Sequence, residues 1–208
     1  MIMAAVAMML CLPAMGQKTK QNSRQAESRN TESRQAEIRR AYSDAMELIK
    51  RQKEPGVDGR MEANYMTVTK RINVAGSGPM EETLEMYGVP KDNDHYITYN
   101  ALVFVRQNIK YFDSLAKPIT REYLFDPETE ELIFCFIKRH DSWAEEPVTV
   151  ENREYYYKDG SLCKSLVKIV SEETKREKSI PEIHPSDGED DKHEAARLLN
   201  IFREMVCE

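Results

Sequence analysis

The sequence predicts an α+β protein in which an N-terminal amphipathic helix packs on an antiparallel β-meander of about 5–7 strands, followed by a short C-terminal helix. Two observations carry this prediction. Apolar residues recur at helical spacing between residues 38 and 53, and the stretch from 65 to 170 consists of strand-like segments separated by turn signals. Two of these turns are short enough to join neighbouring strands as hairpins.

The first 16 residues have the features of an export signal. An apolar stretch runs from Met1 to Ala14, and the small residues Ala14 and Gly16 stand where a signal peptidase requires them. The stretch is shorter than the roughly 20 residues of a membrane span. We expect cleavage after Gly16, a periplasmic or secreted mature chain, and no transmembrane segment after cleavage. A buried N-terminal helix and a lipoprotein modified at Cys11 are the alternatives.

Residues 17–37 are expected to form a polar spacer that is helical or partly disordered. Three copies of the pentad S-R-x-x-E place Arg24, Arg29 and Arg34 five residues apart. Five residues advance a helix by about 140° beyond a full turn, so these arginines spiral around the axis and form no DNA-binding stripe. The net charge of −6 also argues against nucleic acid as a partner.

The α+β domain is expected to span residues 38–170. Its helix carries Ile38, Tyr42, Ala45 and Ile49 on one face. The strands that follow are bounded by turns, and the strongest hairpin signal is Asp159-Gly160, because glycine accepts a positive φ. The expected strands cover residues 65–74, 96–107, 119–125, 132–138, 149–157 and 161–170, with 83–87 ambiguous.

A charged linker at residues 171–189 and an amphipathic helix at 190–208 complete the chain. The helix has apolar residues at helical spacing, among them Ala195, Leu198 and Phe202, and its acidic first turn suits the positive end of the helix dipole. The mature chain keeps an odd number of cysteines, Cys135, Cys163 and Cys207, so no disulfide framework is expected, and their pairing stays open.

Two strand-turn-strand units, REYLFDPETEELIF at 121–134 and REYYYKDGSLCKSL at 153–166, repeat at an interval of 32 residues. Because alternate residues of a strand share a face, each unit should present a row of one arginine and two aromatic rings. One interpretation is that helix 38–53 covers these rows as core. The other is an open groove that binds a sugar, peptide or carboxylated ligand. The candidate ligand-binding residues are Arg121, Tyr123, Arg153, Tyr155 and Tyr157, with Phe125 in the first row.

The run R-E-Y-Y-Y-K-D-G-S-L resembles the RxYYF-NGKL hairpins of small exported proteins of gut Bacteroidetes. It is more loosely similar to the YxxNGxL repeats of bacterial antitoxin-like repeat proteins. The first resemblance covers residues 119–170 together with the export signal. It implies an exported α+β domain and supplies no catalytic residues.

The sequence contains none of the common nucleotide, zinc or nucleophile motifs, so no catalytic residue, no metal and no cofactor is predicted. His184 and His193 beside four acidic residues lack the spacing of a calcium loop. The expected function is a non-catalytic binding or structural module of the bacterial envelope whose partner is an envelope protein, peptide or glycan. The alternatives are an immunity or inhibitor protein against an envelope enzyme, and a small hydrolase acting near His140.

Overall fold

In the computed structural model, which describes residues 15–53, 64–75, 78–92, 98–112, 117–141, 146–180 and 183–206, an antiparallel sheet lies between two helices. The elements are α1 (Met15–Lys53), β1 (Asn64–Val74), β2 (Gly78–Asp92), β3 (Thr98–Tyr111), β4 (Ile119–Phe125), β5 (Leu132–Asp141), β6 (Val148–Tyr156), β7 (Leu162–Ser171), β8 (Glu177–Lys178) and α2 (Glu189–Val206). Each strand pairs with its neighbours in sequence, so the sheet is a meander. The predicted class is confirmed, but the sheet has eight strands and not five to seven.

The differences in the sheet concern β2 and β8. β2 is 15 residues long, although only residues 83–87 have an ambiguous strand pattern. Gly88 and Pro90 lie within it and are unfavourable in isolated strands, but Gly88 pairs with both β1 and β3, and Pro90 lies beyond the end of β1 and pairs with β3 alone. β8 consists of Glu177 and Lys178 alone, a pair too short and too polar to produce a strand pattern.

The helix α1 is continuous over 39 residues, about 58 Å at the usual rise of 1.5 Å per residue. The predicted spacer is therefore helical from its first residue, and its last two pentads contact the β6–β7 hairpin. Arg34 Nε donates a hydrogen bond to the carbonyl of Tyr156 at 2.9 Å, and the hydroxyls of Thr31 and Tyr157 lie 3.0 Å apart. Most of the predicted export signal, residues 1–14, lies outside the described residues. Neither of the two described helices is long and apolar enough to cross a membrane.

Three hairpins carry a β-bulge at corresponding positions. In β2–β3, β4–β5 and β6–β7 the second strand has one extra residue, and these residues are Val103, Ile133 and Cys163, at intervals of 30. A bulge bends its strand and increases the local twist. The two units visible in the sequence thus belong to a structural repeat of three hairpins.

Each helix covers one face of the sheet. On the α1 face, Ile38, Ala45 and Ile49 pack with buried side chains of the central strands, which include Tyr87, Phe104, Leu124, Phe134 and Tyr155. On the α2 face, Ala195, Leu198 and Phe202 pack with a second set, which includes Met86, Leu102, Val105, Tyr123, Phe125, Cys135 and Tyr156. Burial of each large side chain contributes about 1.5–3 kcal/mol, so both helices are part of the folded core.

The predicted C-terminal helix is present as α2, which begins at Glu189. Gly188 precedes it with a φ of 82°, and its carbonyl accepts the first helical hydrogen bond, from Lys192 N at 3.1 Å. The linker before it is not wholly solvated, because Ile180 and Ile183 pack against a small buried cluster on β6 and β7.

Candidate functional site

The two aromatic rows of the sequence repeat lie on opposite faces of the sheet. Tyr123 and Phe125 of β4 lie beneath α2, while Tyr155 of β6 lies beneath α1 and contacts Phe134. Tyr123 is 0% exposed and Tyr155 is 5% exposed. The expectation that helix 38–53 covers both rows is therefore wrong for the first row, and the rows do not form one open groove.

The bulges explain this arrangement. Leu124 and Tyr155 each stand immediately before the register shift of their hairpin, so they are structural equivalents separated by 31 residues. The sequence repeat aligns Tyr123 with Tyr155 at an interval of 32. Because side chains alternate along a strand, this difference of one residue moves the whole second row to the other face.

A pocket of about 280 Å³ lies between α1 and the sheet and is called the α1-side pocket below. Its lining residues come from α1, β4, β5 and β6: Ile38, Arg39, Tyr42, Glu122, Phe134, Phe136, Arg153 and Tyr155. Two of the five predicted ligand-binding residues, Arg153 and Tyr155, are thus brought together here.

Glu122 is the buried acid at the base of the α1-side pocket. Its Oε2 accepts a hydrogen bond from the Tyr42 hydroxyl at 2.6 Å, and its Oε1 accepts two from Arg106, at 2.9 and 3.1 Å. Burial and the neighbouring Glu122 carboxylate raise the pKa of Tyr42, so its hydroxyl keeps its proton. Arg106 also lies 3.6 Å from Glu85 Oε2, so its positive charge is shared between Glu122 and Glu85.

Arg153 lies at the rim of this pocket. Its guanidinium stacks over the ring of Phe136 at 5.2 Å and donates a hydrogen bond to Glu151 Oε2 at 3.0 Å. The side chain is 36% exposed, so part of the guanidinium still faces solvent. Stacking holds the planar group in a defined orientation in which its remaining N–H donors can meet a ligand.

The other predicted ligand-binding residues lie elsewhere. Tyr157 contacts Thr31 of α1, as described above, and Tyr123 is fully buried. Arg121 lies on the α2 face and lines a second pocket, the α2-side pocket, of about 230 Å³, which Asn152 and Asp191 also line. The structure therefore places Arg153 and Tyr155 in one pocket, Arg121 in another and Tyr123 in the core, while Tyr157 contacts α1 outside both pockets.

Beneath the N-terminus of α2 lies a buried cluster that consists of Cys135, Glu154 and Asp191. Their ligating atoms all lie within 4.8 Å of one another, and the three residues come from β5, β6 and α2. Glu154 accepts hydrogen bonds from Asn152 Nδ2 at 2.7 Å and from the Tyr156 hydroxyl at 2.5 Å. The cluster joins the helix to the centre of the sheet through polar groups.

Burial controls the protonation of this cluster. Burial, and then the negative charge of Glu154, raise the pKa of Asp191 from 3.8 to about 7, so the two carboxyl groups share a proton. Burial also raises the pKa of the Cys135 thiol well above its usual value. Cys135 is therefore a thiol at neutral pH, the weakly nucleophilic form of cysteine.

His140, the candidate for hydrolysis, lies at the end of β5. Its Nδ1 is 2.5 Å from Glu172 Oε1, and Glu172 also forms an ion pair with Lys117. Lys117 and then His140 lower the pKa of Glu172 to about 2. Ser142, the hydroxyl considered with His140, lies outside the described residues.

The sequence interpretation missed Glu122, Glu154 and Asp191 as central residues. For the two glutamates a signal exists, because glutamate is uncommon inside strands and rarely buried unless it is paired. Each stands between an arginine and aromatic residues, which indicates a buried, hydrogen-bonded acid. Asp191 has no such signal, since an acidic first turn is ordinary in helices.

Comparison of the chain with protein-family models, curated proteins and solved structures found no match. The resemblance to the exported hairpin proteins stays a prediction.

Proposed function

We propose that the protein is a non-catalytic binding module whose ligand site is the α1-side pocket. The observation that supports this function is the combination of ring-lined walls with arginine at the rim. The walls are formed by Tyr42, Phe134, Phe136 and Tyr155, and the rim carries Arg39 and Arg153.

This combination favours a ligand in which a carboxylate is attached to a ring. Aromatic side chains bind the apolar face of an aromatic or sugar ring, and a guanidinium binds a carboxylate through paired hydrogen bonds. Arg106 partly offsets the charge of Glu122 at the base of the pocket, and Arg39 and Arg153 at the rim add positive charge that favours such a ligand. The pocket volume of about 280 Å³ suits a group of the size of an amino-acid side chain or a single sugar.

Calorimetric titration tests this proposal with 3-phenylpropionate and glucuronate, each compared with its neutral counterpart, 3-phenylpropanol or glucose. We expect one of the carboxylates to bind at least tenfold more tightly than its counterpart, about 1.4 kcal/mol. Arg153→Met keeps the packing on Phe136, removes the charge and should abolish this preference. Arg139 is exposed and lies on the other face of the sheet, in the neighbouring strand β5. Arg139→Met is therefore the matched control for the loss of one arginine charge. Equal binding of carboxylate and neutral compound would contradict the proposal.

The proposal assigns a structural role to His140. Glu172 holds both His140 and Lys117, and it thereby connects the end of β5 to the segment before β4 and the turn after β7. His140→Ala should leave ligand binding unchanged. A hydrolytic activity that this variant loses would favour the hydrolase instead.

We also propose that the module works in the cell envelope, on the basis of the export signal that the sequence predicts at residues 1–16. Cell fractionation followed by N-terminal sequencing tests this. A mature chain that starts at Gln17 in the periplasm or medium is expected, and an uncleaved cytoplasmic chain would contradict it.

A further inference from the structure

A second candidate site lies on the α2 face, opposite the α1-side pocket. Cys135, Glu154 and Asp191 are 0%, 0% and 5% exposed, and a thiol with two carboxyl groups is a costly set of side chains to bury together. Their ligating atoms are nevertheless within 4.8 Å of one another. Apolar side chains of similar size would fill the same space without this cost, so the arrangement calls for a specific explanation.

The hydroxyl of Tyr123 provides an independent observation. Tyr123 is 0% exposed, and its hydroxyl has no hydrogen-bond partner in the part of the chain that the structure describes. Tyr123 is the cross-strand partner of Cys135, and the charged and polar groups nearest its hydroxyl are Cys135, the Arg121 guanidinium and Asp191. The buried phenol therefore lies beside Cys135 and the Arg121 guanidinium at the edge of the cluster, and its oxygen remains available to a ligand there.

We propose that Cys135, Glu154 and Asp191 bind one thiophilic divalent cation such as Zn²⁺, with the Tyr123 hydroxyl or a water molecule available at the fourth position. Thiolate and carboxylate are both ordinary zinc ligands. Bond lengths of about 2.0–2.3 Å place tetrahedral ligand atoms roughly 3.5 Å apart, so the cluster contracts by little more than about 1 Å on binding.

The surroundings of the cluster fit this use. Both oxygens of Glu154 already accept hydrogen bonds, from Asn152 and Tyr156, and such outer contacts orient the carboxylate of a metal ligand. Asp191 also lines the α2-side pocket, which gives an ion an approach from solvent. The thiol and the carboxyl pair each release one proton as the divalent ion binds, so the net charge of the site does not change. The ion would connect α2 to β5 and β6.

Cobalt titration of the full chain tests this proposal after chelator treatment under reducing conditions. One equivalent of Co²⁺ should produce a thiolate-to-cobalt charge-transfer band, and one equivalent of Zn²⁺ should remove it. A variant with Cys11, Cys163 and Cys207 all replaced by serine keeps only Cys135, and it should retain the band. Absence of the band in this variant would overturn the proposal, whatever the stability of other variants.

Two further variants locate the ligands. Cys135→Ser should lose the band while Cys163→Ser keeps it, and Asp191→Asn should weaken cobalt binding at least tenfold. Zn²⁺ should raise the melting temperature of the wild type and not that of Asp191→Asn. A band that survives in Cys135→Ser assigns the ion to another cysteine and refutes the site. Arg153→Met, which tests the α1-side pocket, should leave cobalt binding unchanged, so the two proposals succeed or fail separately.

Discussion

The ring of Phe202 in α2 lies directly over Gly88 in β2, where a Cβ atom would come within 2.4 Å of the ring carbon Cζ. Gly88 holds the position after the bulge that Phe125 and Tyr156 hold in the next two hairpins. Those two residues fill the α2 face with their own rings. In the first hairpin the helix supplies the ring, and the strand residue must be small.

Gly88→Ala is therefore expected to destabilise the protein by about 1–3 kcal/mol, because the added methyl group displaces a packed ring. Urea unfolding measures this change. The matched test is a double-mutant cycle with Phe202→Leu, in which the cost of Gly88→Ala should fall by more than half. An unchanged cost in the Phe202→Leu background would show that the clash is not the cause.

A second prediction compares two buried tyrosine hydroxyls on the α2 face. The Tyr156 hydroxyl donates to Glu154 at 2.5 Å, so Tyr156→Phe leaves a buried carboxylate without this donor and should cost about 1–3 kcal/mol. The Tyr123 hydroxyl has no hydrogen-bond partner among the described residues, so Tyr123→Phe should be neutral or stabilise by up to about 1 kcal/mol. Unfolding in the presence of EDTA measures both. Equal losses for the two variants would contradict this assignment of hydrogen bonds.

The fold class was predictable because it depends on patterns that repeat over many residues. The apolar stripe from Ile38 to Ile49 packs on the sheet, and Asp159-Gly160 forms the turn between β6 and β7. Both outcomes follow from local sequence patterns. The faces of the repeated rows were not predictable in this way. They depend on the bulge residues Ile133 and Cys163, and a bulge shifts the register by one residue without a distinct local pattern.

The sites were predictable only in part. Arg153 and Tyr155 stand out because aromatic residues and arginine recur in the repeat, and both line the α1-side pocket. Tyr42 and Asp191 come from helices that the chain brings over the sheet from distant positions. Tyr42 meets Glu122, and Asp191 meets Glu154, only because the helices pack on the sheet. No spacing along the sequence therefore reveals these pairs.

A third prediction concerns the pentad repeat, whose arginines look equivalent in sequence. Arg34 is 6% exposed and donates to the carbonyl of Tyr156, whereas Arg29 is exposed. Arg34→Ala should therefore cost about 1–3 kcal/mol, through the lost charged hydrogen bond, and Arg29→Ala should change stability by less than about 0.5 kcal/mol. Chemical denaturation of both variants measures the difference. Equal effects would mean that the last pentad is not docked on the sheet.

The last prediction concerns the dependence of stability on pH. Between pH 3.8 and about 7, the folded chain keeps a proton on Asp191 that the unfolded chain releases. The free energy of unfolding therefore falls as the pH rises through this window, by an amount on the order of 2–4 kcal/mol. Glu172 affects the free energy of unfolding in the opposite direction. Its pKa is lowered to about 2 in the folded chain, so its stabilising contribution is present above about pH 4.5 and is lost as the pH falls below that value.

Asp191→Asn keeps a donor toward Glu154 and cannot titrate, so its stability relative to the wild type should increase steadily from pH 4.5 to 7.5. Urea unfolding with EDTA at several pH values measures this difference, and EDTA separates the proton from any bound metal. The exposed neighbour Asp190 provides the control, since Asp190→Asn should show no such trend. A difference between Asp191→Asn and the wild type that stays constant with pH would mean that the folded protein does not hold this proton.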